Sequence, residues 1–489
     1  MAQAKTKSII MQYETVIGLE VHVHLKTETK AFCGCSTKFG SEPNTQTCPV
    51  CLGFPGSLPV LNEKALESAV KVAIGLGCKV QEFIKFDRKN YFYPDLPKGY
   101  QISQYDMPVG LDGSVDIEIE GSKKTIRVKR VHFEEDAGKL IHKQDSPYSL
   151  VDFNRCGMPL LEIVSEPDMN SPQEAFEYLK NLKLAVQYLG VSDCDMEKGS
   201  LRCDANISLR PVGQKELGTK TELKNMNSFK WVKAALEYEI KRQTEILEEG
   251  KQITQETRLW DEAKSVTFAM RSKEEAHDYR YFPDPDLVPF TLSKKYIDDL
   301  KKSLPESPEI TKKRFIEKSG LNETEADIII QDRDLCGLFQ DCIVSYTEAK
   351  KVYNWLTGSV LGYLNDRKKQ LSEVGLKPEE LIKLIKYVDS GKLSNLAAKE
   401  ALVVALDSGK DIDTAIKEKG LVQVSDEGEL VKFIDEVIKK NEKVVSDYKS
   451  GKENALMFLV GQAMKLSKGK ANPKVVKEML VERIKDEVT

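Results

Sequence analysis

The sequence predicts an α+β protein whose first part, to about residue 295, is built on a largely antiparallel sheet and whose remainder is helical. Three observations predict it. Several segments alternate apolar and polar residues, few helical stretches separate those segments, and beyond Ser303-Leu-Pro-Glu-Ser-Pro308 the period changes to that of short helices rich in Lys and Glu. Period-two alternation without regular crossovers argues for antiparallel pairing, because parallel neighbours need a long connection.

The elements follow in chain order. From Glu14 to Leu25, the apolar Ile17, Leu19, Val21, Val23 and Leu25 enclose Glu20, His22 and His24, which makes a strand with one polar face. Cys33-Gly-Cys35 and Cys48-Pro-Val-Cys51 are then separated by twelve residues, in a loop dense in Pro and Gly. Two close cysteine pairs match the tetrahedral thiolate geometry of Zn²⁺, and four protein ligands would make such a metal structural. The loop has no apolar period of its own, so a metal would order it. A helix spans Asn62 to Gly75; Val115 to Glu120 and Ile126 to Phe133 flank Gly121-Ser122 as a hairpin that runs into Glu134-Glu135-Asp136; and Leu160 to Val164 is a short strand. A second helix runs from Ser171 to Leu189. Leu201 to Leu209 sets Leu201, Cys203, Ala205, Ile207 and Leu209 against Arg202, Asp204, Asn206 and Ser208, and Thr219 to Asn225 aligns Lys220, Glu222 and Lys224. A third helix, from Ser228 to Glu249, opens on a Ser N-cap and stops at Gly250. The Pro-rich Tyr281 to Pro289 brings the first domain to its close.

At 489 residues the chain is too long for one hydrophobic core. No stretch approaches the ~20 apolar residues that cross a bilayer, so a cytoplasmic protein without a membrane partner is expected. Cys78, Cys156, Cys194, Cys203, Cys336 and Cys342 are scattered singly, which suits a reducing compartment. A formal net charge of -4 excludes a globally basic nucleic-acid binder but not a local basic surface. There is no G-x-x-x-x-G-K-[ST] loop and no G-x-S-x-G elbow, and Gly75-Leu-Gly77 lies inside a helical pattern. Any ATP must therefore be held by metal and side chains on a sheet, and any ammonia must be made elsewhere.

Carboxylates, an imidazole and cationic groups on the polar faces form a set able to bind Mg²⁺ and to meet phosphate. The candidates are Glu20, His22, Glu135, Glu162, Asp204 and Glu222. Strand parity does not choose between Glu134 and Glu135, because a bulge near Arg130 would flip it. His22 suits a bridging water or Mn²⁺ better than Mg²⁺ itself, and its alternative is a hydrogen-bonded sheet histidine. His24, His132 and His142 are weaker candidates, and His277 beside Asp278 reads as solvent-facing.

Glu14-Thr-Val-Ile-Gly-Leu-Glu-Val-His22, Lys85-Phe-Asp-Arg-Lys-Asn-Tyr-Phe-Tyr-Pro-Asp95, Tyr100-Gln-Ile-Ser-Gln-Tyr105, Glu134-Glu-Asp-Ala-Gly-Lys139, Leu161-Glu-Ile-Val-Ser-Glu-Pro-Asp168, Gly199-Ser-Leu-Arg-Cys-Asp-Ala-Asn206 and Glu222-Leu-Lys-Asn225 together resemble the B subunit of the aspartyl/glutamyl-tRNA amidotransferases nearly end to end. The resemblance implies a cradle-shaped catalytic domain over 1–295 with its zinc loop at 33–51, a helical domain over 296–408 and a tail domain over 409–489. It implies an ATP-dependent carbon–nitrogen ligase that converts Glu-tRNA(Gln) or Asp-tRNA(Asn) to Gln-tRNA or Asn-tRNA. An amidase A subunit would supply ammonia through a channel, and a small C subunit would clasp the other two. By the same resemblance Glu20, His22 and Glu135 fall at the family's metal-binding positions, with Glu162, Asp204 and Glu222 as companions. Lys89 falls near the ammonia channel. Arg202 and Lys224 would meet nucleotide phosphates or the tRNA terminus, and Cys33, Cys35, Cys48 and Cys51 would hold a scaffolding Zn²⁺. Tyr91-Phe-Tyr93 offers either a stacking surface for a terminal adenine or simple packing.

Between Val437 and Lys485 there are twelve Lys or Arg against five Asp or Glu, a basic stretch in a slightly acidic chain. Lys465, Lys468, Lys470 and Lys474 surround Gly469 and Asn472-Pro473, where a loop would present them together to the tRNA backbone. Removing the residues after Lys410 is expected to weaken tRNA binding and leave ATP binding largely intact. Filter binding that returns equal tRNA affinity for the truncated complex would exclude this role.

Overall fold

The computed structural model describes residues 13–142, 146–270, 279–421, 427–467, 471 and 473–486, in two compact units, Met1–Pro308 and Glu309–Thr489. The first unit is organised by a nine-stranded sheet. Its strands are β1 (Tyr13–His24), β2 (Lys79–Val80), β3 (Gly110–Ile119), β4 (Ser122–Glu135), β5 (Pro159–Ser165), β6 (Leu201–Pro211), β7 (Thr221–Lys224), β8 (Glu256–Asp261) and β9 (Val266–Ala269). The spatial order is β9-β8-β7-β6-β1-β5-β4-β3-β2, and all neighbours are antiparallel except β7 and β8. That parallel pair is joined by a helical crossover, as parallel strands require.

Three helices cover one face: α1 (Glu63–Gly75) against β3 and β4, α2 (Pro172–Tyr188) against β3, and α3 (Phe229–Glu248) against β6. Each starts where a side chain accepts an otherwise unpaired backbone amide: Asn62 accepts from Ala65, Ser171 from Glu174 and Ser228 from Trp231. Ile17, Leu19, Val21 and Val23 of β1 and Cys203, Ala205 and Ile207 of β6 point toward these helices and join the core. The pleat therefore sends Glu20, His22, Arg202 and Asp204 to the opposite face.

Alternation breaks in β4. Ile126 and Val128 face the core, yet so do Val131 and Phe133, and between Val164↔Arg130 and Ser165↔Val128 the register with β5 skips Lys129. The bulge expected near Arg130 thus exists, and it turns Arg130, His132 and Glu134 to the polar face. A small three-stranded sheet, Asp87–Asn90 with Tyr100–Ser103 and Phe282–Pro283, flanks this region. Arg88 ties it together, bonding Asp284 at 2.9 Å and Asp286 at 2.8 Å with its guanidinium 4.2 Å from the Tyr100 ring centre.

The described residues of the second unit form helices only, and those of Glu427–Lys440, Glu442–Lys449, Glu453–Leu466 and Pro473–Asp486 share a core of Leu430, Ile434, Leu459, Val476 and Leu480 among others. Gly320 and Gly409 end helices with positive φ, whereas Gly337 and Gly358 lie inside helical segments. Leu335, Cys336, Leu338 and Phe339 are buried around Gly337, and their packing outweighs the roughly 1 kcal/mol that glycine costs in a helix. No described helix is long and apolar enough to cross a membrane. Lys465 is exposed at the end of its helix and Lys474 lies in the first turn of the next, while Lys468, Lys470 and His277 fall outside the described residues.

Glu239 of α3 is fully buried and accepts from Arg242 at 2.8–3.0 Å, from Thr267 of β9 at 2.5 Å, and pairs with Arg258 of β8 at 3.1 Å. It fastens the outer strands to the helical layer. Glu239→Ala leaves two guanidiniums without their shared carboxylate and should lower unfolding free energy by about 3–5 kcal/mol in urea titrations. A change below about 1 kcal/mol, the scale of a surface pair, would refute that role.

Candidate active site

Four adjacent strands place one polar residue each in a single row across the open face. His132 of β4 pairs with Glu162 of β5, Glu162 with His22 of β1, and His22 with Arg202 of β6. Glu162 Oε2 lies 3.4 Å from His22 Nε2 and 3.2 Å from His132 Nε2. Glu134, two residues beyond His132, reaches back to within 3.6 Å of its Nε2 and accepts from Ser103 Oγ at 3.0 Å. One donor atom each from His22, Glu134 and Glu162 lie within 4.8 Å of one another, close enough to share a cation. A nitrogen and two carboxylate oxygens suit Mn²⁺, and Mg²⁺ where water completes the shell.

Glu135 does not join them. It follows Phe133 onto the core side, where Oε1 pairs with Lys98 Nζ and accepts the Ile102 amide at 2.9 Å. The sequence expectation that placed Glu135 with His22 is corrected to Glu134, and the cause is the extra residue at Lys129.

A second cluster sits along β1, β6 and β7. Glu20 faces Asp204, whose Oδ2 is 2.5 Å from Lys224 Nζ; Glu222 pairs with the same ammonium at 3.0 Å, and Asn206 Nδ2 donates to Glu20 at 3.0 Å. Among the described residues Glu20 alone of these acids forms no ion pair, and it is raised from its usual value by burial, then by Glu162, Asp204 and Glu222, with His22 opposing them in part. Burial raises Glu222, but Lys224, the Thr257 hydroxyl and Lys220 together outweigh it and leave the carboxyl lowered. In the first cluster burial works against charge, yet Glu162 holds His132 up to about 9, and Lys89 and His132 hold Glu134 below the usual carboxylate range. Burial likewise opposes the Lys89 ammonium, but Glu134 and Glu162 keep it above its ordinary value, with Tyr279 5.0 Å away. The face is thus a set of carboxylates bordered by Lys89, Arg202 and Lys224.

Arg202 is anchored at its far side. Asp136 Oδ2 accepts from Arg202 Nη2 at 2.7 Å and lies 2.6 Å from His24 Nε2 and 3.3 Å from Arg155 Nε, while Arg202 Nε is buried without a partner. Beyond Glu20 the same face opens into a cleft of about 390 Å³, floored by Gly18 and lined by Lys129, Ser165, Asn206, Ser208 and Lys220. Its size is that of a small-molecule site. On the other side of the sheet, the thiols of Cys33, Cys35, Cys48 and Cys51 converge within 4.8 Å of one another. This all-sulfur donor set fits a closed tetrahedral metal site.

Two family models match the chain: a GatB/GatE catalytic domain over residues 15–298 and a GatB domain over 337–484. Proteins named as the B subunit of aspartyl/glutamyl-tRNA(Asn/Gln) amidotransferase from Carboxydothermus hydrogenoformans and Caldanaerobacter subterraneus subsp. tengcongensis are 54% and 55% identical to it. Each alignment covers 97% of this chain and 99% or 100% of the relative. The chain belongs to the family of aspartyl/glutamyl-tRNA(Asn/Gln) amidotransferase B subunits.

The family's catalytic-domain match spans every strand of the polar face except the two residues of β1 before Thr15. Within that face the sequence named Glu20, His22, Glu162, Arg202, Asp204, Glu222, Lys224 and Lys89, and the fold brings all of them together. It did not single out His132, Asp136 or Asn206. Asn206 was legible by its parity with Asp204; His132 was hidden by the bulge, and Asp136 lies just past the end of β4 where parity stops.

Glu134→Gln should weaken Mn²⁺ binding by about 10- to 100-fold, as read by electron paramagnetic resonance of the free ion. Glu135→Gln should leave that binding in place and lower thermal stability instead. The reverse pattern would return the ligand to Glu135.

Proposed function

We propose that the chain activates and amidates the side-chain carboxylate of a misacylated tRNA, Glu-tRNA(Gln), Asp-tRNA(Asn) or both, using ATP and ammonia supplied by an amidase A subunit, with a small C subunit joining the two. The reading rests on the convergence of His22, Glu134 and Glu162 on an open sheet face bordered by cations.

The chemistry explains the need for such a face. A carboxylate is a poor electrophile, since oxide would have to leave; transfer of the γ-phosphoryl group to one carboxylate oxygen gives a mixed anhydride and ADP. Ammonia then attacks the carbonyl carbon, the carbon–oxygen bond to phosphate breaks, and a proton is lost from nitrogen as the amide forms. Phosphoryl transfer asks the protein for position and charge stabilisation rather than covalent help. His22, Glu134 and Glu162 would hold a divalent cation, which would supply Lewis acidity for the phosphoryl transfer. Arg202, held by Asp136, presents its unpartnered Nε to an oxyanion, and Lys89 and Lys224 add positive charge at the margins. The cleft beyond Glu20 takes the nucleotide, with Lys129 and Lys220 at its walls. Cys33, Cys35, Cys48 and Cys51 hold a structural Zn²⁺, and the basic tail carrying Lys465 and Lys474 binds the tRNA body.

Gly18 offers a clean test. It lies on the polar face of β1, and a Cβ there would meet nothing closer than Pro167 at 3.8 Å, so Gly18→Val keeps the strand and fills the cleft. The reconstituted complex with ATP, Mg²⁺, glutamine and Glu-tRNA should make Gln-tRNA; with Gly18→Val the KM for ATP should rise about tenfold or more while the partner still hydrolyses glutamine. Unchanged ATP dependence would move the nucleotide out of this cleft, and no Gln-tRNA from the wild-type complex would end the reading.

A further inference from the structure

Lys30 is fully buried in the segment between β1 and the cysteine loop. Its Nζ lies 2.7 Å from Gln46 O, 3.5 Å from Phe153 O and 3.7 Å from Cys51 Sγ, and among the described residues no carboxylate pairs with it. A buried ammonium is costly unless an opposite charge meets it. Two carbonyl oxygens satisfy its protons without neutralising it. The hydrogen-bond partner at its Nζ that can carry negative charge is a thiol, one of four that converge there. A tetrathiolate around a divalent ion has two negative charges in excess, so centre and ammonium are complementary.

The surroundings fix Lys30 in that position. A Cβ on Gly157 would touch its Cδ at 3.5 Å, and Gly157 there has φ +82°, a conformation glycine adopts freely. The Ala31 amide donates to Gly157 O at 2.9 Å, the Gly157 amide to Asp136 O at 2.9 Å, and Cys156 Sγ to Cys51 O at 3.2 Å. The lysine therefore stands between the cysteine loop and the segment that leads into β5.

We propose that Lys30 is a positioning residue of the four-cysteine metal centre, supplying a buried counter-cation and an N–H···S hydrogen bond to Cys51. The proposal rests on the structural-metal reading of the four cysteines given above. Donation to a bound thiolate withdraws electron density from sulfur and makes it a poorer nucleophile, so Cys51 is the protected ligand of the four. Gln46, which offers its carbonyl to the same ammonium, sits two residues before Cys48, so the lysine also gathers the second cysteine pair toward the first.

The test uses the assembled complex with its partner subunits. Metal content is measured first by plasma mass spectrometry. N-ethylmaleimide is then added, zinc release is followed with 4-(2-pyridylazo)resorcinol, and peptide mapping orders the alkylation of the four cysteines. In the wild-type complex one zinc per chain and Cys51 as the last of the four to react are expected. Lys30→Met, which keeps the aliphatic stem, should still bind zinc but release it about tenfold faster, with Cys51 no longer last. Zinc bound by both proteins and released at equal rates overturns the proposal. So does a wild-type map in which Cys51 is not the slowest, a result that needs no variant to fold. A wild-type complex without bound metal defeats the metal reading on which the proposal stands.

Discussion

One inserted residue in β4 decides what this sheet can do. Across a pleated strand the side chains alternate strictly, so the apolar residues that bury one face also dictate which acids reach the other. At Lys129 the alternation slips by one, Val131 and Phe133 take over the core positions that Ile126 and Val128 held, and His132 and Glu134 turn toward Glu162 and His22. Without that slip β4 would offer Glu135 to the face and keep His132 in the core. The hydrophobic side enforces the geometry of the polar side, because Phe133 packs edge-on to Phe86 at 5.8 Å and against Phe32 at 6.0 Å, and it cannot rotate away.

Charge on the face is arranged as a gradient. At the β4 end two histidines and Lys89 surround Glu134 and Glu162, and hold both carboxyls below their usual range despite burial. At the β7 end Lys224 shares itself between Asp204 and Glu222. Glu20 lies between the two groups and, among the described residues, accepts a side-chain hydrogen bond from Asn206 and forms no ion pair; burial and the repulsion of three carboxylates raise it, and His22 offsets them only in part. On the reading proposed above, such imbalance would serve a site for a cation and an anionic substrate: the acids would attract the first, and Arg202, Lys89 and Lys224 would meet the second. A face with every charge paired internally would have no free energy left for either.

The sequence made β1 and β6 legible almost to the residue, since half-buried strands with one polar face write their period directly into the chain. The three helices were equally plain, because Asn62, Ser171 and Ser228 cap them and apolar stripes run behind. What stayed hidden depends on partners distant in sequence. Strand β8 buries only Trp260, so its weak alternation gives no signal until β7 is alongside it. His132 needed the bulge to be located before its direction had meaning. Gly337 stands inside a helix against its own propensity, because its neighbours' burial, a tertiary fact, overrides it. The family phrases fixed which residues belong to the site, and only the register showed how they meet.

The cysteine loop and the polar face share a support even though they lie on opposite sides of the sheet. Gly53 of the loop lies so near Lys98 that a Cβ on it would fall 3.1 Å from the Lys98 Cα, and Lys98 is the partner of Glu135. Glu135 is the direct neighbour of Glu134, and Asp136 follows. Backbone hydrogen bonds from Gly157 to Asp136 and from Asp136 to Met158 then fasten the end of β4 to the strand after the loop's own anchor. The last residues of β4, which carry an acid toward the row of His22 and Glu162 and another toward Arg202, are thus held from behind by a loop that has no hydrophobic core of its own. Ordering of the loop is therefore felt at the polar face: a metal held by the four cysteines would stiffen the surface on which Glu134 and Asp136 are mounted, and a site gains precision from rigid mounting.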